Sequence, residues 1–125
     1  MYTYVIIDDE PLIRRGTKKK LEPLSHLLTC CGEASDGREG LELVRQLKPD
    51  IVILDMQMPV MDGCTATRRI RALKDPARAA VQIVAMTANV FEEERKRAFD
   101  CGMNGFLSKP IVIEELIDAL RGIIH

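Results

Sequence analysis

Several short apolar runs in this chain end in polar residues: Asp8 and Asp9 after Val5-Ile6-Ile7, Asp55 after Ile51-Val52-Ile53-Leu54, Thr87 after the run 81–86, and Lys109 after 105–108. Gathered at one place, the three carboxylates would repel each other by roughly 4 kcal/mol per pair at an effective dielectric of about 20. Two things can offset that repulsion, a cation such as Mg²⁺ and the Lys109 ammonium. Mg²⁺ favours a few carboxylates plus waters in octahedral geometry. A carboxylate held beside that cation and an ammonium is set up to attack a phosphoryl group. Both positive charges would neutralise the equatorial oxygens, and the Thr87 hydroxyl could donate to one of them. The product would be an aspartyl phosphate. Read alone, Asp55 fits a cap, a metal ligand or a nucleophile; the other run ends favour the nucleophile.

Such convergence requires strands that end on one edge. Residues 51–54 are continuously aliphatic, the pattern of a strand buried on both faces. Further strands are expected at 4–7, 27–34, 81–86 and 105–108. Helical spacing fills the intervals. Pro11 opens a first helix to about 22, with Ile13, Thr17, Leu21 and Leu24 inward and a solvated basic face of Arg14, Arg15, Lys18, Lys19 and Lys20. After the Asp36-Gly37 turn a second helix covers 38–48, with Leu41, Val44 and Leu47 on one side. The third spans 64–73 on Ala66, Ile70 and Leu73, followed by a longer connection. A fourth, 91–101, has a thin apolar stripe, mainly Phe91, Ala98 and Phe99, and is expected to be held less firmly than its neighbours. Glu92–Lys96 and Glu93–Arg97 have i,i+4 spacing, and Gly102 caps this helix. The last runs over 113–124 on Leu116, Leu120, Ile123 and Ile124. The repeated β-α alternation predicts an α/β fold: a (βα)5 doubly wound parallel sheet of five strands, covered on both faces, in the flavodoxin-like order 2-1-3-4-5.

A chain of 125 residues is expected to fold as one domain over 1–125, with enough buried surface to need no staples. A net charge of −1 implies neither nucleic acid nor an anionic membrane as partner. Asp8, Asp9 and Glu10 interrupt the first apolar run, so it does not read as a signal peptide, and no run approaches the roughly 18 residues of a membrane span. Cys30, Cys31, Cys64 and Cys101 form no C-x-x-C. Reduced thiols in or near the core of a cytoplasmic protein are favoured over a disulfide or a zinc site.

The set Asp8-Asp9, Asp55-Met56-Gln57-Met58-Pro59, Met61-Asp62-Gly63, Thr87-Ala88 and Lys109-Pro110 resembles bacterial two-component response-regulator receiver domains of the CheY-like kind, over essentially the whole chain. The resemblance implies that Asp55 is the phosphoacceptor. It further implies that Asp9 and Asp55 bind Mg²⁺ directly, that Asp8 acts mainly through water, and that the Gln57 backbone carbonyl is a further ligand. Lys109 would pair with the phosphoryl group, and its bond to Pro110 would be cis. Thr87 would be the switch hydroxyl and Phe106 the switch aromatic; lacking the hydroxyl of Tyr, Phe106 could switch only by packing. Gln57 and Asn89 would flank the path of the hydrolytic water. Neither is a carboxylate, so the phosphoryl group should be lost over minutes or longer rather than seconds.

By the same resemblance the donor is a phosphohistidine on a histidine kinase or histidine phosphotransfer protein. The output is the face of helix four, strand five and helix five, which could also support a phosphorylation-dependent homodimer. The chain's own histidines, His26 in a loop and His125 at the end, and the lack of a Gly-rich ATP loop agree with the need for such a donor. The protein would be a switch rather than an enzyme, catalysing only its own phosphorylation and dephosphorylation. No membrane or direct nucleic-acid contact is expected of it. A phosphatase of the haloacid-dehalogenase kind would need an acid where Gln57 stands. A flavin module would not place Asp8-Asp9-Glu10 in its phosphate loop, and a pseudo-receiver scaffold would not carry a complete site. The start at Met1 favours an N-terminal receiver, while the stretch 61–110 looks more like receivers of hybrid sensor kinases.

Overall fold

The computed structural model describes residues 2–58, 61–88, 91–109 and 111–121. Five parallel strands, β1 (Tyr2–Ile7), β2 (Leu28–Ala34), β3 (Ile51–Asp55), β4 (Gln82–Thr87) and β5 (Gly105–Ser108), lie in the order β2-β1-β3-β4-β5. The expected order is therefore the observed one. Between and after them run α1 (Pro11–Leu21), α2 (Gly37–Leu47), α3 (Gly63–Arg71), α4 (Glu92–Asp100) and α5 (Ile113–Arg121). The connection after α3 contains a one-turn helix, Pro76–Ala79, which Asp75 caps by accepting from the Ala77 N–H. Ile123, Ile124 and His125, expected on the last helix and the terminus, lie outside the described residues.

The strands alternate between two cores. Val5, Ile7, Val52, Leu54, Ile83 and Ala85 pack with Val44 of α2, Ala66 and Ile70 of α3 and Ala98 of α4. Tyr4, Ile6, Ile51, Ile53, Val84, Met86 and Leu107 pack with Leu21 of α1 and Leu116 and Leu120 of α5. A period of two on strands and 3.6 on helices makes both layers at once. β3 is buried at every position, as its aliphatic run requires. The sheet also fixes the close packing at Gly63: a Cβ there would stand 2.6 Å from the Asp55 backbone oxygen. Gly102 has φ +110°, the left-handed backbone that glycine tolerates best, and follows the end of α4.

Four expectations need correction. Leu47 is exposed, although its side chain reaches back over Gly32. Phe91 and Phe99 are 71% and 42% exposed, leaving Ala98 as the buried residue of α4. The three-residue run Glu92-Glu93-Glu94 and the short length of the helix leave room for one inward position, and the small Ala98 takes it. Arg97 does not pair with Glu93; its guanidinium meets Asp62 at 2.9 Å and Glu94 at 3.8 Å, because the tertiary contact with the start of α3 lies within reach. Finally, Cys64 and Cys101 are paired as a disulfide, while Cys30 and Cys31 are free thiols. The partners are 37 residues apart, and the placement of α3 and α4 on the same layer of the sheet brings them together.

Candidate functional site

The register of the sheet assembles the polar run ends. Ile6 pairs with Ile53, and Asp55 with Met86 two residues further along β3. Asp8, Asp55 and Lys109 then continue the alternation of Ile6, Ile53 and Leu107, which face α1 and α5. They meet above the strand ends. Lys109 Nζ lies 3.1 Å from Asp8 Oδ2 and 3.2 Å from Asp55 Oδ2, reaching across β4 to bridge the two carboxylates. The Lys109 backbone N–H donates to the Thr87 carbonyl at 2.8 Å, which pins the base of that side chain to the end of β4.

Each carboxylate is oriented by the turn that follows it. Asp55 Oδ1 accepts from the Gln57 N–H at 3.1 Å, and Asp8 Oδ1 accepts from the Glu10 N–H at 2.9 Å. Arg14, on the first turn of α1, donates to the Asp8 carbonyl at 2.6 Å. Asp8 and Asp55 are 0% and 3% exposed. Burial, reinforced by the Asp8 charge, pushes the Asp55 carboxyl up to about 6 despite the Gln57 N–H and the Lys109 charge. Burial pulls the Lys109 ammonium down, but its bond to Asp8 and the charges of Asp55 and Asp8 outweigh that and raise it.

Asp8, Asp9 and Glu10 each bring one carboxylate oxygen within 4.8 Å of the others. Asp8 Oδ2 is a buried oxygen whose partner among the described residues is the Lys109 ammonium at 3.1 Å. An all-oxygen, strongly anionic set of this kind fits a hard divalent cation. Asp55 stands outside that trio and turns to Lys109 instead; Glu10, exposed, was given no ligand role by the sequence reading. Gln57 is exposed, Asp9 and Phe106 are half-buried, and Thr87 is buried. Phe106 packs against the α2–α4 core from β5, opposite Ala85. Asn89 and Pro110, with the expected cis bond, lie outside the described residues. Sequence reasoning missed Arg14's contact with the Asp8 carbonyl; its place one turn after the acid run was the available signal.

Residues 4–121 match the model of the response regulator receiver domain family. The chain belongs to the response-regulator receiver family. This receiver is 35% identical over 119 residues to the nitrate/nitrite response regulator protein NarL of Escherichia coli K12, covering 95% of this chain and 53% of NarL. It is 35% identical over 116 residues to the sensor histidine kinase RcsC of Salmonella typhi, covering 93% of this chain and 12% of RcsC. The chain thus spans about half of one relative and a small part of the other. Among solved structures, the chemotaxis protein CheY4 of Vibrio cholerae superposes with a TM-score of 0.83 at 26% identity, covering 99% of each chain. The receiver is thereby a two-component signalling domain with a CheY-like fold. No described helix is long and apolar enough to cross a membrane.

Proposed function

We propose that the whole of 1–125 works as one phosphorylatable receiver in which Asp55 takes a phosphoryl group from a phosphohistidine on a histidine kinase or histidine phosphotransfer protein. The observation that carries this reading is the Lys109 ammonium held 3.1 and 3.2 Å from two buried carboxylates at a sheet edge. An Asp55 carboxylate oxygen forms the new O–P bond as the N–P bond of the donor breaks, and the donor imidazole keeps the electron pair. Lys109, already beside Asp55, transfers its ion pair to the incoming phosphoryl oxygens. The Thr87 hydroxyl, at the end of β4, donates to another of those oxygens. Asp8 and Asp9 would hold Mg²⁺, with Asp55 and the Gln57 carbonyl as further ligands and Glu10 close enough to join. That ion would supply charge neutralisation during transfer.

Phosphorylation then alters the packing of Thr87 and Phe106 and so the α4-β5-α5 face, which addresses an output domain, a partner or a second receiver. The protein is a cytoplasmic switch that promotes only its own phosphorylation and dephosphorylation, and this domain makes no direct contact with nucleic acid. The names of NarL and RcsC, a response regulator and a sensor histidine kinase, support a histidine-based donor. Incubation with acetyl phosphate and Mg²⁺ should add one phosphoryl group by intact mass, and Asp55→Ala should abolish it; labelling that survives Asp55→Ala would refute the assignment. Lys109→Ala should retain some labelling yet lose the accompanying change at the α4-β5-α5 face, read by amide exchange. With uncharged Gln57 exposed beside the site and no carboxylate at that position, purified phosphoprotein in Mg²⁺ should keep its label for minutes or longer.

A further inference from the structure

The paired cysteines are buried, Cys64 2% and Cys101 5% exposed, with Cα atoms 5.5 Å apart, the separation a disulfide needs. They join unequal partners. Cys64 is the second residue of α3, directly after Gly63, which packs on the Asp55 carbonyl and is thus tied to the sheet. Cys101 closes α4, the helix that buries only Ala98. Each sulfur also has a backbone carbonyl beside it, Arg97 O at 3.5 Å from Cys64 Sγ and Ala98 O at 3.2 Å from Cys101 Sγ. Those carbonyls can accept from the two thiols when the bond is open, so each sulfur keeps a polar neighbour in the reduced state.

We propose that Cys64 and Cys101 form a reversible oxidation site that sets how freely the C-terminal half of α4 detaches from α3. The oxidant is a small disulfide of the glutathione class. When α4 opens locally, the Cys101 thiolate attacks the glutathione disulfide, forming a mixed disulfide and releasing one glutathione thiolate, which takes up the Cys101 proton. The Cys64 thiol then gives up its proton and attacks the Cys101 sulfur, and the second glutathione leaves as a thiolate that takes up that proton. Two protein thiols are oxidised and one glutathione disulfide is reduced to two thiols; excess dithiol runs the sequence backward. The other cysteines, Cys30 and Cys31, sit on β2 with their thiols pushed up by burial and take no part.

The test uses the wild-type chain in two redox states. After glutathione disulfide, alkylation should label two thiols, and digestion should yield one linked peptide pair containing Cys64 and Cys101 that dithiothreitol separates. Amide exchange at 97–100 should be at least about tenfold slower in the oxidised than in the reduced protein, with little change at 92–94. Four alkylatable thiols after oxidation, a link through Cys30 or Cys31, or equal exchange in the two states would each overturn the proposal. None of these readouts involves phosphorylation, so failure here is separable from failure of the Asp55 assignment.

Discussion

At Asp55 two opposing demands meet. A carboxylate this buried beside Asp8 is destabilised as an anion, yet an anion is what the proposed phosphoryl transfer requires. Its folded value near 6 against an ordinary 3.8 means the folded chain holds more protons than the unfolded chain between those limits. Stability from this group is therefore full below about 4 and lost as pH rises through about 6. In chelator-treated protein, Asp55→Asn should raise stability at pH 7.5, by no more than about 3 kcal/mol, and the gain should vanish near pH 4. Urea midpoints at the two pH values measure it; a destabilised variant at pH 7.5 would mean that the ion pair with Lys109 outweighs burial. The residues of this site were legible because each closes an apolar run. What spacing could not reveal is which partner each atom chooses: Lys109 bridges Asp8 and Asp55, and Asp8 also belongs to an acid trio with Asp9 and Glu10 rather than with Asp55.

Between elements, Arg71 is the main polar fastening. From the end of α3 its guanidinium donates to the Ala79, Val81 and Gly102 carbonyls and to Asn104 Oδ1, and Asn104 Oδ1 in turn accepts from the Ile83 N–H. One planar fork thus joins α3, the turn before β4, and the loop before β5. Arg71→Ala should destabilise the fold by about 3 kcal/mol, since part-buried carbonyls lose a charged donor, and Arg71→Lys should recover only part because an ammonium cannot span all four acceptors. Thermal midpoints of the two variants check this, with equal loss in both as the contrary result. The places of β3, β4 and β5 could be read from their apolar runs to within one residue at either end. The orientation of α4 could not, because a helix with three adjacent glutamates and one phenylalanine, and a second phenylalanine just before it, offers its outer face and its inner face on nearly equal terms until Ala98 is seated. The role of Arg71 is not legible in the sequence for a related reason: its acceptors are backbone carbonyls and one side-chain amide, which no sequence pattern marks.

For the molecule as a whole, the (βα)5 architecture followed from alternation and the right-handed crossover, and the observed strand order is the expected one. The disulfide did not follow, since chain separation hides a pairing created by two helices lying on one layer. Closing a loop of that span should add up to about 4 kcal/mol to unfolding through the unfolded chain's lost entropy. Denaturation of oxidised against dithiothreitol-treated protein measures this, and coincident transitions would show that the link leaves the unfolded ensemble unrestricted. The two-layer alternation also bears on how a message leaves the sheet edge. Asp8, Asp55 and Lys109 belong to the layer of α1 and α5, whereas Thr87 continues Ile83 and Ala85 into the layer of α2, α3 and α4. The residues at that edge thus lead into two cores that share no helix among the described residues. Should Asp55 take the proposed phosphoryl group, one input would press on both layers together, and the α4-β5-α5 face is where they meet, α4 from one core and α5 from the other.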